Sequence, residues 1–84
     1  MRVRVRLFAS LREAAGTELV ELDLAAGSTA EDAWRRLVEA HPALAGRRRS
    51  LAVAVNRRYA RFEESLAEND EVVFVPPVSG GRQP

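Results

Sequence analysis

The sequence contains no cysteine, which removes disulfides, thiolate metal sites and a cysteine nucleophile together. His41 is its only histidine, so a histidine metal cluster, or a triad needing a second imidazole, is also out. No apolar run is long enough to span a bilayer, and Met1-Arg2-Val3-Arg4 lacks the pattern of a signal peptide. A cytoplasmic protein is expected. Charge of one sign is missing too: a formal net charge of +1 and a pI near 8.5 give no push toward nucleic acid. The acid, base and nucleophile inventory is too thin for a self-sufficient enzyme, and nothing suggests a bound metal.

What is present reads as one small globule. A chain of 84 residues has room for a single domain with a thin core and no deep cleft. Hydrophobic content of 46% and charged content of 30% are those of an ordinary folded protein. Residues 1–8 read as a strand, with Val3, Val5 and Leu7 alternating against Arg2, Arg4 and Arg6. Phe8 falls in the arginine register. It either rests on arginine stems or stands out as an apolar anchor for a partner. Residues 9–16 form a short helical turn, with Ser10 and Glu13 at capping-box spacing and Gly16 as the stop. Residues 18–24 are a second strand, with Val20, Leu22 and Leu24 toward the core.

The clear helix opens at Ser28-Thr29-Ala30-Glu31, again with capping-box spacing. It turns Ala30, Ala33, Trp34, Leu37 and Val38 inward, and Asp32 outward. It ends near Ala40, because Pro42 disfavours helix at His41; His41 reads as a helix-end residue. Arg47-Arg48-Arg49 reads as a solvated loop. Residues 51–56 are a third strand and residues 59–62 a short fourth, joined by a turn at Asn56-Arg57-Arg58. Leu44 and Leu66 fold inward, and residues 71–75 are the last strand. Strand, strand, helix, strand, short strand, strand makes an α+β chain. Its first and last strands pair in parallel at the sheet centre, beneath one helix. This is the β-grasp architecture of ubiquitin-like proteins, a mixed sheet of about five strands covered on one face. Phe8, Ala52, Ala54 and the register of Val73 and Val75 are placed to line the uncovered face, a partner-binding surface.

The last strand stops at Pro76 and Pro77, which cannot donate to a ladder. Val78, Ser79, Gly80 and Gly81 follow, then Arg82-Gln83-Pro84. The division expected is a domain over 1–77 and a flexible tail over 78–84. A stiff neck with a slim tip suits a peptide that enters another protein's narrow site, although frayed termini are common.

Three stretches carry a resemblance: Leu7-Phe8-Ala9-Ser10-Leu11-Arg12-Glu13, Val53-Ala54-Val55-Asn56, and the run from Asp70 through Pro76-Pro77-Val78-Ser79 to Gly80-Gly81. Together they resemble the small, sulfur-carrying subunit of molybdopterin synthase, through Gly81. The resemblance implies that Gly81, next to Gly80, is the working residue. A ubiquitin-activating-like adenylyltransferase uses ATP to adenylate its carboxylate, and sulfide from a sulfurtransferase displaces AMP to leave a thiocarboxylate. The tail then enters the large synthase subunit and gives its sulfur to cyclic pyranopterin monophosphate. The resemblance also implies a heterotetramer with that subunit, no cofactor bound to this chain, and large-subunit contacts from Phe8, Tyr59 and Val75. The neck Pro76-Pro77-Val78-Ser79 belongs to the same partner-binding stretch. A ubiquitin-like modifier or binding module, or a carrier for thiamine or tRNA thiolation, is the alternative.

Members of that family end at the second glycine, whereas here Arg82-Gln83-Pro84 follows. Gly81 in a peptide bond has no carboxylate to activate. Trimming by a peptidase is the preferred account; the start of a longer fusion, or lost activity, are the others.

Overall fold

The computed structural model describes residues 1–77. Its elements are β1 (Arg2–Leu7), α1 (Ala9–Ala15), β2 (Leu19–Asp23), α2 (Ala30–Ala40), β3 (Ala52–Val55), β4 (Arg58–Ala60) and β5 (Glu71–Val75). The strands form one mixed sheet in the order β2-β1-β5-β3-β4. β1 and β5 run parallel, with Val5 beside Val72 and Leu7 beside Phe74; the other pairings are antiparallel. This is the β-grasp topology expected from the order of elements.

Alternation sorts each strand into two faces. Val3, Val5, Leu7, Val53, Val55, Val72 and Phe74 point under α2 and are buried. There they meet Ala30, Ala33, Trp34 and Leu37 of the helix, with Leu11, Leu44 and Leu66 closing the sides. Phe74 sits at the centre. Trp34 meets it edge-on at 5.1 Å between centroids, and Phe62 stacks on it at 6.0 Å.

Several local expectations shift. β1, β2 and β3 are each one residue shorter at both ends than expected, β4 runs from Arg58 to Ala60 instead of over 59–62, and β5 spans Glu71–Val75 as expected. Ser10 does not cap α1: Phe8 is the N-cap residue, without a side-chain cap bond, and Ser10 lies inside the helix. Gly16 does end it, with φ 79 in the left-handed region and its N–H donating to the Arg12 carbonyl. The capping box of α2 lies one residue later than the Ser28–Glu31 spacing suggests. Thr29 Oγ1 accepts from the Asp32 N–H at 3.2 Å, and the Asp32 carboxylate accepts from the Thr29 N–H at 3.0 Å. Asp32 therefore works at the cap rather than facing freely outward. The reason is tertiary: Thr29 bridges to Ser65, and the Ala30 and Glu31 N–H groups donate to the carbonyls of Glu64 and Phe62. The loop after β4 thus satisfies donors that every helix start leaves open.

Arg47-Arg48-Arg49 is not simply a solvated run. Residues Arg48–Ser50 form one 3-10 turn that brings the Arg48 guanidinium to 3.3 Å from the Phe62 ring centroid. The same group pairs with Glu31 at 2.7 Å, so a cation–π contact and an ion pair share one side chain. His41 is the C-cap of α2, as its position before Pro42 implies.

Candidate functional site

Among the described residues, the other face of the sheet carries no helix. One row of neighbours crosses all of it: Leu19 of β2, Arg6 of β1, Val73 of β5, Ala54 of β3 and Tyr59 of β4. Among the described residues, the large exposed apolar side chains stand on this face or beside it: Tyr59 is 75% accessible, Phe8 50% and Leu19 41%. Such residues scattered singly need no explanation, but gathered on one sheet face they mark a contact surface.

The face divides along the strands. Toward the start of β1 it is charged: Arg2 bonds Glu21 at 3.2 Å and Asp23 at 3.1 Å, and Arg6 pairs with Glu71. The hydrogen bond and charge of Arg2 hold the Asp23 carboxyl below the usual range, and Asp23 raises Arg2 in return. A shallow polar hollow lined by Met1, Arg2, Asp23, Glu68 and Asn69 opens at this end. Toward the end of β1 the face turns apolar. β5 runs parallel to β1, so both strands finish here, and antiparallel β3 begins here with Ala52 opposite Val75. Phe8, which follows β1, lies at the same end. Extended backbone at Phe8 (φ −127, ψ 159) keeps it in the arginine register, and positive φ at Ala9 (50) then turns the chain into α1.

The predicted partner-binding residues fall as follows. Phe8, Tyr59 and Val75 share the open face. Val75 is half-buried and is the last residue of β5; Pro76 is half-buried and Pro77 exposed, both beyond the strand. Val78, Ser79, Gly80 and Gly81 lie outside the described residues. Leu19 and Val73 complete the transverse row. Tyr59 was not identified from strand register, although the Asn56-Arg57 turn fixes it. Both residues have positive φ (52 and 70), the form a two-residue hairpin requires, and this sets Tyr59 opposite Ala54. Asn56 also ties this hairpin to β5: its side chain accepts from the Glu71 N–H at 2.9 Å and donates to Asp70 at 2.8 Å.

β5 is the middle strand of the sheet. Its end at Val75 therefore lies beside the apolar half of the open face, not at a sheet edge. The sequence pattern of the ThiS family matches residues 5–81, from β1 through the second glycine.

The chain belongs to the ThiS family.

Its similarity extends over whole relatives. It is 37% identical over 83 residues to the molybdopterin synthase sulfur carrier subunit of Chlamydomonas reinhardtii, covering 96% of this chain and 100% of that one. It is 39% identical over 84 residues to small archaeal modifier protein 1 of Haloferax volcanii, covering 90% of this chain and 97% of the relative. The crystal structure of that modifier superposes with a TM-score of 0.90 at 37% identity, over 96% of this chain and 100% of the modifier. These ThiS-family likenesses agree with the ubiquitin-like sheet and helix. Among the described residues no group of side chains could hold a metal ion, and no helix is long and apolar enough to cross a membrane.

Proposed function

We propose that this ThiS-family chain is the sulfur carrier of molybdopterin synthesis. The observation that carries the reading is the placement of Phe8, Tyr59 and Val75 on one open face. Val75 ends the strand that leads into Pro76-Pro77 and on to Gly80-Gly81, Phe8 follows the neighbouring strand β1, and Tyr59 stands on β4, across β3 from β5. The face supplies the binding area that a glycine tip lacks, and the tip supplies reach. In this reading the large synthase subunit covers the apolar half of the face and receives the tail.

The chemistry proposed for Gly81 begins with hydrolysis of its bond to Arg82, which frees a carboxylate. A carboxylate is ionised at neutral pH and is a poor acyl electrophile. The adenylyltransferase transfers the AMP group of ATP to it with loss of pyrophosphate, and sulfide supplied by a sulfurtransferase displaces AMP. The resulting thiocarboxylate delivers sulfur to cyclic pyranopterin monophosphate within the large subunit. Glycine at positions 80 and 81 leaves the backbone free to thread a tight channel and to adopt conformations closed to other residues.

The likeness to small archaeal modifier protein 1 favours a second reading, in which the adenylated Gly81 is joined to amines of other proteins. Intact mass of the protein isolated from its own cells distinguishes these accounts. The proposal expects a species ending at Gly81 with one oxygen replaced by sulfur. A chain that always retains Arg82-Gln83-Pro84 would overturn it, and conjugates without thiocarboxylate would favour the modifier.

A further inference from the structure

The sequence has no lysine: all 13 residues counted as Lys plus Arg are arginine. Some of these positions use the forked guanidinium. Arg2 reaches Glu21 and Asp23 together, and Arg48 pairs with Glu31 while lying on the Phe62 ring; a compact ammonium reproduces neither arrangement. Others do not use it. Arg4, Arg12, Arg49, Arg57 and Arg58 are exposed and make no ion pair among the described residues. Packing gives no reason to prefer arginine over lysine at those places.

The chemical difference between the two side chains is nucleophilicity. Arginine stays protonated at every physiological pH, whereas the lysine amine is the usual acceptor of acyl and ubiquitin-type transfer. Within these 84 residues, the one remaining primary amine is the α-amino group of Met1. It donates to the Leu24 carbonyl at 2.7 Å, and the Leu24 N–H returns a bond to the Met1 carbonyl at 2.8 Å. That amine is held as a ladder group at the end of the sheet and must leave it to attack.

We infer that the chain is a donor only: it gives its activated C terminus to nucleophiles on other molecules and does not receive one on its own surface. The inference rests on the activation of Gly81 proposed above. In the transfer that is avoided, an amine nitrogen bonds to the Gly81 acyl carbon and the bond from that carbon to AMP breaks. AMP departs, and the amine's proton passes to solvent. With no lysine to start this reaction, activated copies at high local concentration are lost only to water, sulfide or a foreign acceptor. As a modifier, the same chain is attached singly and never grows polymers through its own lysines.

The test bypasses the activating enzyme. The chain ending at Gly81 is prepared as a C-terminal thioester by intein cleavage, in its natural sequence and as the R49K/R57K double variant. Both are incubated at mildly alkaline pH. Amide-linked multimers are read by denaturing electrophoresis after thiol treatment, and linkages by peptide mass mapping. The expected result is dimers and larger species from the double variant, joined at positions 49 and 57, and their loss in the natural chain, which only hydrolyses. Multimers of the natural chain formed through Met1 as fast as those of the variant would overturn the inference. So would the absence of multimers from both. Failure of the cell's own enzyme to adenylate Gly81, with the thioester result intact, would count against the reading of Gly81 alone.

Discussion

The two faces of one sheet, read from the same strands two residues at a time, have opposite characters. Val72 and Val73 are neighbours in β5, yet Val72 is fully buried beneath α2 while Val73 lies between Arg6 and Ala54 on the open face. The covered face holds the fold together through closely packed side chains. The open face keeps arginines, small residues and a few large apolar groups. In the proposed function, stability and binding fall to alternate residues, so each should be open to perturbation with little effect on the other.

The sharpest way to break that comparison is a matched pair of substitutions. Val72→Asp places a carboxylate in a dry core, which costs roughly 3 kcal/mol or more, and the domain is expected to lose its cooperative unfolding transition. Val73→Asp puts the same group beside Arg6 on the half-buried open face and is expected to leave the transition in place while weakening large-subunit binding. Circular dichroism melts of the two variants check this; equal losses would dissolve the distinction between the faces.

Next in size is Phe74→Ala. It removes the ring on which Trp34 and Phe62 pack and should cost about 3–5 kcal/mol in chemical denaturation. Thr29→Ala, which removes one half of the α2 capping box, should cost about 1 kcal/mol.

The smallest effect is in pH. Bonds from the Thr29 backbone and side chain hold the Asp32 carboxyl below its ordinary value of 3.8. A carboxyl depressed in the folded state contributes stability that is present above the unfolded value. That contribution is lost as pH falls below 3.8 through the lower folded value. Acid titration of Asp32→Asn should show a shallower loss of stability over that window than the parent chain.

Most of the sheet was legible because period-two alternation states which side of a strand meets the core. Val3, Val5, Leu7 and Leu22 needed nothing further, and the same register placed Phe8, Ala52 and Ala54 on the open side. Helix starts were less legible. Ser28–Glu31 and Thr29–Asp32 are overlapping boxes, and only the bonds from Phe62 and Glu64 decide between them. Arg48 over Phe62 was not legible, since a contact between a loop arginine and a ring 14 residues later leaves no periodic trace. Tyr59 came from family resemblance, although the geometry of a two-residue turn contains the same answer. The glycine tip is a matter of sequence and chemistry, beyond the described residues.

In the proposed function, the open face docks the large synthase subunit without supporting the fold. Titration calorimetry of Phe8→Ala against that subunit, beside a melt of the same variant, tests it most directly. The expected affinity is weaker by roughly 10-fold or more, as for an apolar interface anchor, with a melting transition close to that of the natural chain. Unchanged affinity, or an affinity lost only in step with unfolding, would contradict it.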